Sequence, residues 1–144
     1  MPLHAFAYTS LAAEDLQAQD IDRILADGAA FNRMAGVTGV LTFDGKRFVQ
    51  CVEGPADGVE AVSARIINAR SHVQLQVLAR GGVGARQFPQ WALAAQRIEP
   101  ATSARIAHAR WEGFRPGSAG LRLLRGVWTG GQGQLEPPAV MLGS

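Results

Sequence analysis

The sequence is poor in the residues that build disulfides, metal sites and nucleic-acid interfaces. Its one cysteine, Cys51, cannot form an internal disulfide, and with the three histidines it shows no metal-binding spacing. Fourteen cationic residues are nearly balanced by twelve acidic ones, and the arginines are scattered rather than clustered. These absences argue against a disulfide-stabilised secreted domain, a metalloenzyme and a nucleic-acid-binding protein.

The sequence also lacks a long apolar run. No segment approaches the roughly 18 apolar residues of a membrane-spanning helix, and the N-terminus has no basic stretch followed by an apolar one. Together with a single thiol inside a predicted strand, this predicts a cytoplasmic protein. The 144 residues, 47% of them hydrophobic, are enough for one compact domain with a short appendage.

The apolar pattern predicts the element order βαββαβ. Strands are predicted at residues 4–10, 37–43, 47–53 and 73–80. The two middle strands form a hairpin, because Asp44-Gly45 is a strong turn signal between alternating apolar runs. This order is typical of an α+β, ferredoxin-like antiparallel sandwich with two helices on one face, in which the first and third strands are central neighbours.

The two helices are predicted from apolar residues at helical spacing. The first carries Ile21, Ile24, Leu25 and Gly28 or Ala29 and ends at Gly36; the second carries Val59, Val62, Ile66 and Ile67 and ends near Arg70. In the fourth strand, one face is predicted to hold Val73, Leu75, Val77 and Ala79, and the other Gln74, Gln76 and Leu78.

The remaining residues are predicted to form a glycine-rich loop at 81–90, a fifth strand within 91–98 and short helices beyond Pro100. We therefore expect three parts: a ligand-binding domain at 1–98, a helical extension at 99–129 and a flexible tail at 130–144.

One polar residue stands out in the hairpin. Phe48, Gln50 and Val52 share one face of the third strand, and a buried amide needs partners for both its donors and its acceptor. In the predicted topology Tyr8, on the first strand, comes within hydrogen-bond reach of Gln50.

Other polar or aromatic residues have ordinary structural interpretations when each is taken alone. Asn32 suits a helix end, His72 a strand edge, Trp91 a core aromatic and Arg65 a solvated cation. The glycines fit neither a P-loop nor a dinucleotide fingerprint, and no nucleophilic triad is seen.

Taken in order, several motifs over residues 4 to about 98 resemble the BLUF domain, a blue-light sensor that uses flavin. They are Tyr8-Thr-Ser10, Asn32, "GVTGVL", "FVQCVEGP", His72 and "RQFPQWAL". The resemblance implies FAD as the cofactor, with FMN as the alternative. It implies photoactive roles for Tyr8, Gln50 and Trp91, and cofactor binding by Ser10, Asn32, Gln50, Arg65 and His72.

The sequence differs from the family pattern at three places. An acidic residue and an arginine often precede the histidine, where this chain has Ala69 and Ser71. A second polar residue often precedes the asparagine, where this chain has Phe31. Many members have methionine two residues after the tryptophan, where this chain has Leu93.

The resemblance implies a receptor rather than an enzyme, since the residues beyond the domain are too few for a catalytic effector. We expect it to signal to a separate protein or through a homo-oligomer, using apolar residues of the C-terminal helices: Leu121, Leu123, Leu124, Val127 and Trp128. Two alternatives are a degenerate, flavin-free interaction module and an acylphosphatase-like hydrolase. The hydrolase would need an anion-binding loop with an arginine after the first strand, where this chain has "TSLAAED".

Overall fold

The computed structural model describes residues 2–129. Its elements are β1 (Leu3–Ala12), α1 (Ala18–Ala35), β2 (Thr38–Phe43), β3 (Arg47–Pro55), α2 (Ala56–Ile67), β4 (His72–Val83), β5 (Ala94–Arg97), α3 (Pro100–His108) and α4 (Ala119–Thr129). The predicted α+β order, the hairpin and the C-terminal helices are confirmed. The tail predicted at 130–144 lies outside the described residues.

The sheet has the strand order β4-β1-β3-β2-β5. β1 is antiparallel to both β3 and β4, so the first and third strands are central neighbours as predicted. β5 pairs parallel to β2, which makes the sheet mixed rather than purely antiparallel. The fifth strand is also shorter than predicted, because only residues 94–97 pair with β2 after the chain has crossed from one edge of the sheet to the other.

The predicted alternation along the fourth strand is wrong. The pairing of β1 with β4 shifts register where Ala7 pairs with Ala79 but Tyr8 pairs with Val77, which leaves Leu78 as an extra residue. Leu78 and Ala79 consequently both pack into the same core cluster. The strand also continues through residues 81–83, which were predicted as part of the loop.

Helices cover both faces of the sheet. On one face α1 and α2 pack over apolar residues that include Phe6, Phe48 and Val52. On the other face α3 and α4 cover Ala7, Val49 and Cys51. Because side chains alternate along a strand, β3 contributes to both cores with successive residues.

Some of the apolar residues predicted to contact a partner belong to the protein's own core. Leu121 and Leu124 are 0% exposed and pack against the sheet, while Leu123, Val127 and Trp128 are partly buried against the same cluster. Leu121 and Leu124 are therefore not part of an open docking surface in this fold, while a partner contact through Leu123, Val127 and Trp128 stays a prediction. Ile67 also differs from prediction, since it is about half exposed and only Val59, Val62 and Ile66 of that stripe are buried.

The end of α1 positions one candidate site residue. Gly36 adopts a left-handed conformation (φ 73°) that ends the helix, and the backbone N–H of Val37 donates to the carbonyl of Asn32. Asn32 thus lies in the last turn, next to the start of β2. No helix in residues 2–129 is both long and apolar enough to cross a membrane.

Candidate functional site

A cavity of about 310 Å³ lies between α1, α2 and the sheet. This volume is near the lower end of the range for small-molecule sites, which runs from about 300 to 1,000 Å³. Most of the predicted site residues line it: Tyr8, Asn32, Gln50, Arg65 and His72. Ser10 and Trp91 are not among its lining residues.

Tyr8 and Gln50 face each other directly across β1 and β3, as predicted. The Tyr8 hydroxyl donates a short, buried hydrogen bond of 2.5 Å to Gln50 Oε1. Burial raises the pKa of Tyr8 far above its ordinary value of 10.0, so the phenol stays protonated and remains the donor. Gln50 is 5% exposed, and none of the described residues accepts a hydrogen bond from its Nε2.

Asn32 is a second buried amide in the wall of the cavity. It is 2% exposed, and its Nδ2 donates to the carbonyl of Ala92 at 2.8 Å. That bond leaves Oδ1 without a donor among the described residues. In both Asn32 and Gln50, one polar atom of the amide forms a hydrogen bond within the protein. The other polar atom is available to a ligand in the cavity.

His72 is held by two hydrogen bonds within the protein. Its Nε2 lies 2.7 Å from the carbonyl of Ile66, which can only accept, so Nε2 carries the proton. Its Nδ1 then accepts from the Ser10 hydroxyl at 2.6 Å. The imidazole thus forms a wall with its ring edge-on to Tyr8, and Ser10 acts on the cavity only by fixing that ring.

Arg65 is an exposed residue that lines the cavity, so it lies at the opening. Its guanidinium carbon is 5.2 Å from the centroid of the Phe31 ring on α1. The contact joins the two helices across the opening.

The structure does not bring Trp91 to Tyr8 and Gln50. Its ring packs into the core beneath α3 and α4, 6.4 Å from the Trp128 ring, while Leu93 lines the cavity. The reason is that α4 supplies Trp91 with an apolar partner on the opposite face of the sheet. The sequence pattern did not indicate on which face α4 packs.

Several cavity residues were not among the predicted site residues, although Ala69, Ser71 and Leu93 were named as departures from the family pattern. They are Ile24, Asp27, Gly28, Leu41, Phe48, Val62, Ile66, Ala69, Ser71 and Leu93. Helical spacing could have identified two of them, since Ile24 and Gly28 precede Asn32 by eight and four residues. Strand register could have identified Leu41, which pairs with Gln50.

A larger cavity of about 900 Å³ lies beside the first half of α1 and the hairpin. It shares Leu41 with the smaller cavity. Its charged residues are exposed at the surface or nearly so: Glu14, Asp22, Lys46 and Arg97. It contains no buried amide with an unused polar atom, so we assign the site to the smaller cavity. No cluster of metal-ligating side chains is found in residues 2–129.

The fold is similar to those of several solved proteins. A bacterial light-regulated adenylyl cyclase is 25% identical with a TM-score of 0.63, and the match covers 66% of this chain but only 28% of the cyclase. BlrB, a BLUF protein in its dark state, is 26% identical with a TM-score of 0.64, covering 67% of this chain and 73% of BlrB. BlrP1 of Klebsiella pneumoniae, 23% identical, has a TM-score of 0.67 over 86% of this chain and 33% of its own, and shows the fold alone.

Comparison with the curated proteins finds no match to this sequence. Residues 3–94, more than half of the chain, match the BLUF family, which is described as "Sensors of blue-light using FAD". The residues that line the cavity, including the buried amides Asn32 and Gln50, lie within the matched range. The chain therefore belongs to the BLUF family and is a flavin-binding sensor of blue light.

Proposed function

We propose that this protein senses light through the hydrogen bond from Tyr8 to Gln50, beside a flavin ring bound in the 310 Å³ cavity. One observation carries the proposal: two buried amides line one cavity, and each has an unused polar atom. The polar edge of a flavin has both an imide N–H and several acceptors. Asn32 Oδ1 would accept from the N–H, and Gln50 Nε2 would donate to an acceptor.

When bound, an oxidised flavin supplies the absorption of blue light and, once excited, a strong oxidant. Tyr8 is the phenol that can lose an electron, and its proton has a direct route to Gln50 Oε1 along the 2.5 Å hydrogen bond. Gln50 can then rotate its amide or change tautomer, because the group both donates and accepts. Either change would alter the hydrogen bonds that Gln50 makes to strand β1 and into the cavity.

We propose FAD as the natural cofactor, in line with the family description, with FMN able to occupy the same cavity. Ser10 and His72 support the site through their mutual hydrogen bond, and Arg65 contributes from the opening. Trp91 keeps a proposed role in the photoresponse, which would act through its loop and not by contact with Tyr8.

We further propose a receptor without catalytic activity, consisting of a flavin-binding domain at 1–98, a helical extension at 99–129 and a tail at 130–144. It would signal to a separate protein or through a homo-oligomer, and its free, buried Cys51 suits the reducing cytoplasm. Since Leu121 and Leu124 are buried in this fold, the docking surface would use exposed residues or require a change in α4.

The test is the visible spectrum of the flavin-loaded protein in the dark and immediately after blue illumination. We expect a small red shift of the main flavin band that decays in the dark. Tyr8→Phe should retain flavin and abolish the shift completely, because the sequence contains no other tyrosine. A normal shift in Tyr8→Phe would contradict the proposed route, and failure to bind any flavin would favour the degenerate module.

A further inference from the structure

The opening of the flavin cavity is crossed by a contact between α1 and α2. Arg65 on α2 holds its guanidinium 5.2 Å from the ring centroid of Phe31 on α1, within the usual range of a cation–π interaction. Phe31 is 36% exposed and does not line the cavity. Its ring therefore acts on the cavity through Arg65, whose position over the opening it restricts.

Arg65 also supplies the positive charge of the site. Among the described residues that line the cavity, it alone is permanently cationic, and Asp27 is the acidic one. No carboxylate in residues 2–129 lies within ion-pair distance of Arg65. The guanidinium is thus available to an anionic group that reaches the opening.

The size of the cavity indicates which part of a flavin would reach Arg65. A volume of about 310 Å³ suits the ring system but not an entire flavin nucleotide. With the ring edge at the buried Asn32 and Gln50, the side chain that carries the phosphate has to leave through the opening. Arginine binds phosphate well because its planar donors match the phosphate oxygens.

We propose that Arg65, positioned by Phe31, makes the site selective for phosphorylated flavins, FMN and FAD, over riboflavin. This inference rests on the proposed binding of flavin in the same cavity. Arg65 is the binding residue and Phe31 is a positioning residue. The aromatic side chain at 31, where a polar residue is common in the family, gives this chain its own means of holding the cation.

The experiment titrates flavin-free full-length protein with riboflavin, FMN and FAD, at low and high salt, and follows flavin fluorescence. We expect FMN to bind up to about fivefold more tightly than riboflavin at low salt, as for one exposed ion pair, and the difference to shrink at high salt. Arg65→Gln should remove this preference and leave riboflavin affinity within about twofold, while Arg65→Lys should keep part of the preference.

The test of Phe31 uses one disruptive and one conservative variant. Phe31→Leu should reduce the preference for FMN about threefold, as expected for the loss of an exposed cation–π contact, and Phe31→Tyr should restore it. Arg33→Gln is the matched control, because it removes an exposed arginine from α1 that does not line the cavity. All three affinities should be unchanged in this control.

The outcomes separate this inference from the proposed function. If Arg65→Gln weakens the binding of riboflavin as much as the binding of FMN, the arginine is structural and the inference is overturned. If Phe31→Leu and Phe31→Tyr show the same preference for FMN over riboflavin, Phe31 does not position Arg65. If the unaltered protein binds riboflavin as tightly as FMN, the phosphate selectivity fails while flavin binding stands. If it binds none of the three, both proposals fail.

Discussion

The two faces of the sheet are built from the same strands but differ in how completely they are filled. On β3, Val49 and Cys51 point to the face covered by α3 and α4, and both are 0% exposed in an apolar core. Phe48 and Gln50 point to the face covered by α1 and α2, where a cavity remains. Alternate residues of one strand thus contribute to a closed core and to a ligand site.

The difference shows where the stability and the chemistry of this fold are located. The α3/α4 face follows the usual rules of close packing, although the Ser103 hydroxyl on α3 is buried there without a partner among the described residues. The α1/α2 face departs from them, because Asn32 and Gln50 are buried with half of each amide unused. Local departures from these rules are expected at functional sites. Substitutions on the two faces should therefore have different effects.

The largest expected effect on stability is from Leu124→Ala in α4. Leu124 is 0% exposed in the core of the α3/α4 face, so removing its side chain leaves a void and should lower the free energy of unfolding by about 2–5 kcal/mol. The dark absorption band of bound flavin should stay in place, because no residue of α4 lines the cavity. Urea denaturation and the visible spectrum measure the two quantities.

Leu123→Ala is the control, since Leu123 has the same side chain on the same helix but is only partly buried. Its effect on unfolding should be clearly smaller. Equal losses in the two variants, or a displaced flavin band in Leu124→Ala, would mean that the two faces are not separable in the way their packing indicates.

The second prediction concerns Asn32→Ala on the cavity face. The variant loses the oxygen expected to accept from the flavin and leaves the Ala92 carbonyl without its 2.8 Å hydrogen bond. We expect flavin affinity to fall about tenfold, corresponding to about 1–2 kcal/mol for one buried hydrogen bond. Equilibrium dialysis measures it.

Asn68→Ala is the matched control for Asn32→Ala, because Asn68 is an exposed amide at the end of α2 that does not line the cavity. Its flavin affinity should equal that of the unaltered protein. Unchanged occupancy in Asn32→Ala would exclude Asn32 from the flavin site.

The contrast between the faces also explains how much was predictable from sequence. Tyr8 and Gln50 were correctly paired because short-range turn chemistry fixes the hairpin and the βαββαβ order fixes the central strands. The position of Trp91 depends on Trp128, a long-range contact that periodicity does not encode. The bulge at Leu78 depends on register between distant strands, so a strict period of two could not reveal it.

The two faces meet at the loop that follows β4, which Glu53 fixes. Its carboxylate is buried, and Oε2 accepts from the backbone N–H groups of Gln87 and Phe88 at 2.8 and 2.6 Å. The same loop carries Trp91 to one face and Leu93 to the other. Burial raises the pKa of Glu53 above its ordinary 4.5, although the two N–H groups and Arg86 act in the opposite direction.

The smallest expected effect is the change in pH dependence caused by Glu53→Gln. A raised pKa means that the folded protein holds the proton more tightly than the unfolded chain. The resulting stabilisation is therefore complete below about pH 4.5 and is lost as the pH rises through the folded-state pKa.

Glutamine cannot ionise, yet its carbonyl can still accept a hydrogen bond from the backbone N–H of Phe88. Between about pH 4 and 8 the variant should lack this loss of stability. Urea denaturation across this range, with saturating flavin, measures the difference. Parallel pH profiles would show that the N–H groups of the loop fully offset the burial of the carboxylate, so that Glu53 joins the two faces without any response to pH.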